Sequence, residues 1–270
     1  MSQLIIFTDI DGTLIDLTTY SFAEAAPAVT AVLARHIPLI LCSSKTRAEQ
    51  VHLRRALGID DPFIVENGSA IFIPPELLPF EFAHRLIGDW QVIELGVTAV
   101  TIQAALTAVR HETGLVFQGF ADLSGAEVAT ITGLDEAAAL RAQQREYSET
   151  IVTPLAAPEL AQLVTALAAK GLTIVSGGKF HTVTGAGSDK GTAVTHLTAL
   201  YRQKFGHVTT IGLGDSANDR PLLTAVDRPY LVQKPGGLWQ EMDVPGLERV
   251  TAVGPRGWRL VVEGSGQAFR

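Results

Sequence analysis

The 270-residue chain has one cysteine, Cys42. That excludes an intramolecular disulfide and a multi-cysteine zinc site. Cys42 follows Leu39-Ile40-Leu41, a setting that suits a buried structural thiol better than a nucleophile. Positive charge is also short: 21 Lys and Arg against 28 Asp and Glu leave a formal net charge of -7. This argues against a broad basic surface for nucleic acid, and a pocket for an anionic substrate would have to be locally positive. No apolar run approaches the ~20 residues of a membrane span. The first residues lack a basic leader, and Asp9 and Asp11 interrupt any apolar core there. Neither a nucleic-acid nor a membrane partner is expected, and the expected location is the cytoplasm. Internal repeats and low-complexity tracts are missing. Gly185, Gly187 and Gly191 fit neither the dinucleotide fingerprint nor P-loop spacing. The remainder, 47% hydrophobic and 18% charged, is that of a globular protein with ample core for one large or two modest domains.

Short apolar runs alternate with helix-favouring segments. The run at residues 4–7 leads into Asp9-Ile10-Asp11-Gly12-Thr13. A helix is expected after it, starting near Pro27. The second run, 37–42, ends in Ser43-Ser44-Lys45-Thr46, and a helix follows to Leu57, stopped by Gly58. The third, 63–65, ends in Glu66-Asn67-Gly68. This alternation predicts an α/β, Rossmann-like fold, a mainly parallel sheet flanked by helices. All three polar clusters lie at strand exits, where such sheets bind ligands.

From Pro74 the pattern weakens among scattered glycines. Helix-like segments lie at 97–112 and 135–147, and a clearer amphipathic helix at 157–170 has Leu160, Leu163, Val164 and Leu167 on one face. This block reads as a smaller α+β domain, residues 79–178, inserted into a core made of 1–78 and 179–270. The opening character returns at Ser188-Asp189-Lys190-Gly191. A patterned helix and a strand at 208–213 then lead to Gly214-Asp215-Ser216-Ala217-Asn218-Asp219. A strand at 230–232 and a tail containing Trp258 close the chain.

Two carboxylates at the exit of a buried strand repel each other, and Mg²⁺ is the natural ion to sit with them. The bland alternative for Asp9 and Asp11 taken alone is a pair of turn or capping aspartates, and chemistry is the favoured reading of the two. Phosphoryl transfer needs a nucleophile, a metal, cations on the phosphate oxygens and a proton donor. A carboxylate can attack phosphorus, and a second can serve as acid and base. Asp215 and Asp219 add oxygen ligands, while Ser43 and Lys190 can hold phosphate. Ser43-Ser44 could instead cap the helix beginning near Thr46. Lys190, at a helix start, opposes the helix dipole, which favours function over structure.

The set Asp9-Ile10-Asp11-Gly12-Thr13, Ser43, Lys190 and Gly214-Asp215-Ser216-Ala217-Asn218-Asp219 resembles the four motifs of haloacid dehalogenase superfamily phosphatases. The insertion between the second and third motifs resembles the branch with a large α/β cap there. The strings Leu41-Cys42-Ser43-Ser44-Lys45-Thr46-Arg47-Ala48-Glu49 and Ile64-Val65-Glu66-Asn67-Gly68 look like the mannosyl-3-phosphoglycerate phosphatase family. Lys179-Phe180-His181 and Gly254-Pro255-Arg256-Gly257-Trp258 add to the likeness.

The resemblance implies Asp9 as nucleophile and Mg²⁺ ligand, and Asp11 as acid/base with its carbonyl on the metal. It implies Asp215 and Asp219 at the metal, supported by Asn218. Ser43, Lys190 and Thr13 would bind phosphate, with Ser44 able to replace Ser43. Asn67, Lys179 and His181 would meet the substrate, a phosphorylated sugar. Lys45 stands where relatives often carry arginine. Arg110, Arg141 and Arg145 read as solvated charges on helix faces. The expected reaction is hydrolysis of mannosyl-3-phosphoglycerate. The rivals are a glucosyl or other sugar-phosphate substrate, transfer to a second sugar, and a non-catalytic sensor.

Overall fold

The runs read as strands are strands, and the most apolar of them lies inside the sheet. The computed structural model describes residues 2–176 and 180–265. β1 (Gln3–Thr8) is followed by α1 (Ala26–Ala34), with Pro27 in its first turn, then β2 (Leu39–Cys42) and α2 (Arg47–Leu57). β3 (Phe63–Val65) leads through a 3₁₀ turn (Glu66–Gly68) into β4 (Ala70–Ile73), β5 (Arg85–Ile87) and β6 (Trp90–Glu94). α3 (Ala99–Thr113), α4 (Gly125–Thr132), α5 (Glu136–Gln143), β7 (Glu149–Ile151), α6 (Ala157–Ala168), β8 (Leu172–Ser176) and β9 (His181–Gly185) come next. The chain finishes with α7 (Lys190–Phe205), β10 (Val208–Gly214), α8 (Arg220–Thr224), β11 (Arg228–Gln233), β12 (Glu248–Val253) and α9 (Gly254–Ser265).

Among the described residues, nine strands form one sheet in the order β12-β11-β10-β1-β2-β3-β4-β6-β5. From β12 to β3 every pairing is parallel, and β4, β6 and β5 extend the sheet antiparallel. β1 is central, with Thr8 beside Leu213 on one side and Leu41 on the other. Both faces are covered, which is why β1 reads as a continuous apolar run rather than an alternating one. Ile6 packs with Leu39, Leu41, Val29 and Trp258 on one face, while Ile5 and Phe7 pack with Val194, Leu197 and Leu222 on the other. Each such side chain contributes about 1.5–3 kcal/mol by leaving water.

Strand pairing moves both limits expected for the insertion. Residues 85–94, expected in the smaller domain from residue 79, belong to the large sheet as β5 and β6. They are short, half-buried edge strands joined through Gly88 and Asp89, so their apolar signal is weak. At the other end, β9 lies beyond the expected limit of 178 yet pairs with β7 and β8 in a three-stranded antiparallel sheet. One face of that sheet, carrying Ile151, Leu172, Ile174 and Val183, packs on Ile102, Leu106 and Val109 of α3 and Leu163 and Leu167 of α6.

Two helices also differ from expectation. α4 has no counterpart in the sequence reading, and α5 stops at Gln143 rather than continuing to 147. Residues 144–148 instead dock on the large-sheet unit. The tail is helical: α9 buries Trp258 completely, and its indole N–H donates to Thr8 Oγ1 at 3.1 Å. Trp258→Ala therefore removes a core side chain and a partner of β1. We expect a loss of about 3–5 kcal/mol in urea unfolding; a loss below about 1 kcal/mol would show that α9 does not brace β1.

Candidate active site

β1, β2, β3 and β10 run parallel, so the turns that follow them share one edge of the sheet. β1 delivers Asp9, whose N–H donates to the Leu213 carbonyl at 2.9 Å. β10 delivers Asp215. The turn after β1 passes close to it through Gly12, at φ +78°, where a Cβ would lie 2.8 Å from Asp215 Oδ2. Only glycine allows both the backbone angle and the approach.

One carboxylate oxygen from each of Asp9, Asp215 and Asp219 lies within 4.8 Å of the others, and all three residues are buried. Lys190, the first residue of α7, is buried with them. Its Nζ lies 2.6 Å from both Asp9 Oδ1 and Asp219 Oδ1. The other oxygen of Asp219 accepts the N–H groups of Asp215 and Ser216, each at 3.0 Å. Asp219 is thereby held from both sides.

Charge here is costly. Burial, then the neighbouring Asp219, pushes Asp9 well above the usual carboxylate range, although Lys190 opposes the shift. The same two causes push Asp215 up to about 7. Burial alone would pull Lys190 down, but Asp219 and Asp9 outweigh it and hold its pKa above the ordinary lysine value. With all four groups ionised, three negative charges and one positive leave two negative charges in a dry pocket. Hard oxygen donors carrying that excess fit a divalent cation such as Mg²⁺.

Asp11 stands outside this cluster. Its Oδ2 lies 3.1 Å from Lys45 Nζ, while its Oδ1 is buried with no hydrogen-bond partner among the described residues. Lys45 also reaches Glu49 at 3.3 Å. Burial would lower the Lys45 pKa, but Asp11 and then Glu49 outweigh it and raise it. The doublet Asp9-Ile10-Asp11 thus faces two different ammonium groups.

Ser43 is buried, and its hydroxyl accepts the Lys45 N–H at 3.3 Å. Ser44 presents its carbonyl to Arg145 at 3.4 Å. Neither serine caps α2. Thr46 does, accepting the Glu49 N–H while Glu49 returns a bond to the Thr46 N–H, a full capping box. Thr13, expected on phosphate, is buried with its hydroxyl 3.5 Å from Asp215 Oδ1. Asn67 meets Asn218 across the cleft edge at 3.4 Å, and Asn218 also accepts from Ser216 at 2.6 Å. His181 lies on the small sheet, its Nδ1 3.0 Å from Ser176 Oγ. That sheet approaches the site through β8, which packs against the 217–219 turn. Lys179 falls outside the described residues. Cys42 is buried, and burial pushes its thiol far up, as suits a structural role.

The sequence reading missed Glu66 and left Lys45 without a role; it also placed Arg145 on a solvated helix face. Arg145 in fact has a side chain only 10% exposed, and donates to Ser148 Oγ at 2.7 Å as well as to Ser44. Its guanidinium lies over the Phe120 ring, 5.7 Å from the centroid. α5 ends before it, so the helical periodicity that suggested solvent does not apply. Arg110 keeps a partly exposed ion pair with Asp122.

Four strand-exit turns, an aspartate beside a buried lysine, and a further carboxylate pair define a Rossmann-like hydrolase centre. The haloacid dehalogenase-like hydrolase family matches residues 6–234, and the chain belongs to that family. Phosphoric monoester hydrolysis is its class of reaction. The chain is 43% identical over 261 residues to the glucosyl-3-phosphoglycerate/mannosyl-3-phosphoglycerate phosphatase of Methanococcoides burtonii, covering 96% of this chain and 95% of that protein. It is 32% identical over 256 residues to the protein of the same description from Persephonella marina, covering 94% of each. Among solved structures it is similar to a Thermoplasma acidophilum protein, with TM-score 0.69, 15% identity and 98% of each chain covered. It is also similar to the sucrose-phosphatase of Synechocystis, with TM-score 0.62 and 16% identity over 99% of this chain and 98% of that one.

The raised carboxyl pKa of Asp215 links stability to pH. Between the ordinary value of 3.8 and about 7 the folded chain holds a proton that the unfolded chain releases. Stability from this group is full below the lower value and is lost as pH rises through the upper one. Metal-free protein should therefore lose a few degrees of Tm between about pH 5.5 and pH 8, and excess Mg²⁺ should restore it at pH 8. A Tm at pH 8 that is the same with chelator and with Mg²⁺ would count against a cation at this cluster.

Proposed function

We propose that the chain is a Mg²⁺-dependent phosphatase that converts mannosyl-3-phosphoglycerate to mannosylglycerate and inorganic phosphate. The observation that carries this reading is the division of the aspartates. Asp9 sits dry against Lys190 and the cluster of Asp215 and Asp219, and Asp11 pairs apart with Lys45. A cap running roughly from residue 95 to 187 would enclose the sugar.

Asp9 is the nucleophile. Its carboxylate oxygen attacks phosphorus, the bond to the glycerate oxygen breaks, and an aspartyl-phosphate forms. Asp11 gives its proton to the departing oxygen, then takes one from the water that cleaves the aspartyl-phosphate. Lys190 stabilises Asp9 as a carboxylate and, with Ser43, holds phosphate oxygens. Thr13 and Asn218 support the shell through Asp215 and Asn67. Lys45 orients Asp11. Mg²⁺, held by Asp9, Asp215 and the Asp11 carbonyl with Asp219 behind them, would offset the carboxylate charge and polarise the phosphate. Asn67, His181 and Lys179 are proposed contacts of the glycosyl-glycerate portion. A cytoplasmic location fits the lone buried thiol.

The glucosyl ester is a second substrate on this reading, because both relatives described above carry both sugars in their descriptions. Release of phosphate from both esters with Mg²⁺ tests the assignment; absence of turnover on either would sink it. Asp9→Asn should lower kcat by at least about 10³-fold, and full turnover by that variant would exclude the covalent route. Lys45→Met removes the cation shared by Asp11 and Glu49 and leaves Lys190 in place. We expect kcat to fall roughly 10- to 100-fold with KM within about threefold, and the pH-rate profile to shift. An unchanged profile would remove Lys45 from the acid/base function.

A further inference from the structure

Three consecutive residues after β3 touch three separate parts of the molecule. Glu66 is fully buried, and its carboxylate accepts the N–H groups of Glu146 at 2.9 Å and Tyr147 at 3.1 Å and the hydroxyl of Ser148. Asn67 gives its N–H to the Ser43 carbonyl at 2.9 Å and turns its side chain to Asn218. Gly68, at φ +94°, lies so close to α7 that a Cβ there would be 2.0 Å from the Asp189 carbonyl oxygen. Glu66 and Asn67 are both left-handed, at φ 48° and 60°. That backbone is unfavourable for a glutamate and persists where the surroundings over-determine it.

The segment that Glu66 grips runs straight into β7, the first strand of the small sheet. The loop carrying Ser43 and the start of α2 grip the same segment and the end of α5. Arg47 makes a two-pronged pair with Glu146 at 2.9 and 3.0 Å, Thr46 Oγ1 donates to the Arg141 carbonyl at 2.8 Å, and Arg145 reaches the Ser44 carbonyl. We propose that Glu66 is a positioning residue that locks the small sheet to the loops bearing Ser43, Asn67 and Lys190, so that substrate engagement by the cap and phosphate-site geometry are set together. Its kinetic consequence rests on the function proposed above. A carboxylate is needed because the three donors converge on it. A carboxamide of the same shape offers one acceptor oxygen and turns an N–H₂ against one or more of those donors.

The test is Glu66→Gln in the full chain, followed by amide exchange and by steady-state kinetics with mannosyl-3-phosphoglycerate and p-nitrophenyl phosphate. Exchange should accelerate roughly tenfold or more at residues 146–148 and also at 67–69 and the start of α7. KM for the glycosyl ester should rise about tenfold, while kcat for p-nitrophenyl phosphate, which uses the phosphate site without the cap, should fall by only about threefold. Faster exchange confined to 146–148, or equal losses on both substrates, would overturn the lock. Wild-type protein that hydrolyses p-nitrophenyl phosphate but neither glycosyl ester would refute the substrate assignment, and the spread of exchange would still decide the lock. Should Glu66→Gln fail to fold, Glu66→Asp keeps the acceptors one methylene back and should show the same spread at smaller amplitude; exchange unchanged at 67–69 in that variant would overturn it.

Discussion

Everything at the site depends on one buried ammonium. Lys190 begins α7, where the helix dipole disfavours a cation, and its Nζ is drawn between Asp9 and Asp219 at 2.6 Å from each. Asp189 caps the helix by accepting the Thr192 N–H at 2.7 Å, so α7 tolerates the lysine in its first turn. Burying an isolated ion costs several kcal/mol, and the arrangement is stable only because opposite charges meet it at hydrogen-bond distance. Those charges come from β1 and from the turn after β10, which are adjacent only in the parallel sheet. The ammonium thus ties the order of the strands to the ionisation of Asp9, the proposed nucleophile.

The strand-exit logic was legible because it is local. Apolar runs ending in Asp9, Ser43, Asn67 and Asp215 mark both the strand and the edge on which its terminus lies. Thr46, Glu49 and Gly58 frame α2 by short-range rules, and the structure shows both cap and stop. The serines offered a competing cap, and it lost because Thr46 has the glutamate three residues on. Such rules fail where the partner is distant. Glu66 meets Ser148 across 82 positions and Ser44 meets Arg145 across 101, and no spacing in the chain announces either contact. Helical periodicity across 135–147 also misled, because the N–H groups of Glu146 and Tyr147 bond to Glu66, and the Arg145 side chain to the Ser44 carbonyl, rather than continuing a helix.

The limits of the insertion were obscured for a related reason. β5 and β6 are edge strands with half-exposed faces, so they lack the continuous apolar run that betrays β1. Aromatic packing anchors them instead: Trp90 stands edge-on to Phe63, with centroids 5.2 Å apart, and Arg54 lies over both rings. Those contacts join residues far apart in the chain and make 85–94 an extension of the large sheet. The small sheet consequently departs only after Glu94 and closes its last strand at Gly185.

The two aspartates of the opening doublet show how a shared sequence motif is split between two environments, which suit the separate tasks proposed for them. β1 ends at Thr8, and the turn that follows through Gly12 sends Asp9 to Lys190 and Asp11 to Lys45, ahead of α2. Asp9 lies in the dry cluster with Lys190, where charge is stabilised only by neighbours that hold fixed positions. The Asp11 side chain is 26% exposed and meets Lys45, itself steadied by Glu49 of the capping box. A nucleophile needs fixed geometry and little water, whereas a group that exchanges protons with a leaving oxygen and then with water needs a route to solvent. Burial separates the two environments within two residues of chain. Glu49 has two tasks in this arrangement, stabilising the start of α2 and holding the cation that faces Asp11. Loss of that carboxylate would therefore weaken a helix and displace the group proposed for proton transfer together, which places part of the site's rigidity in the local capping of α2.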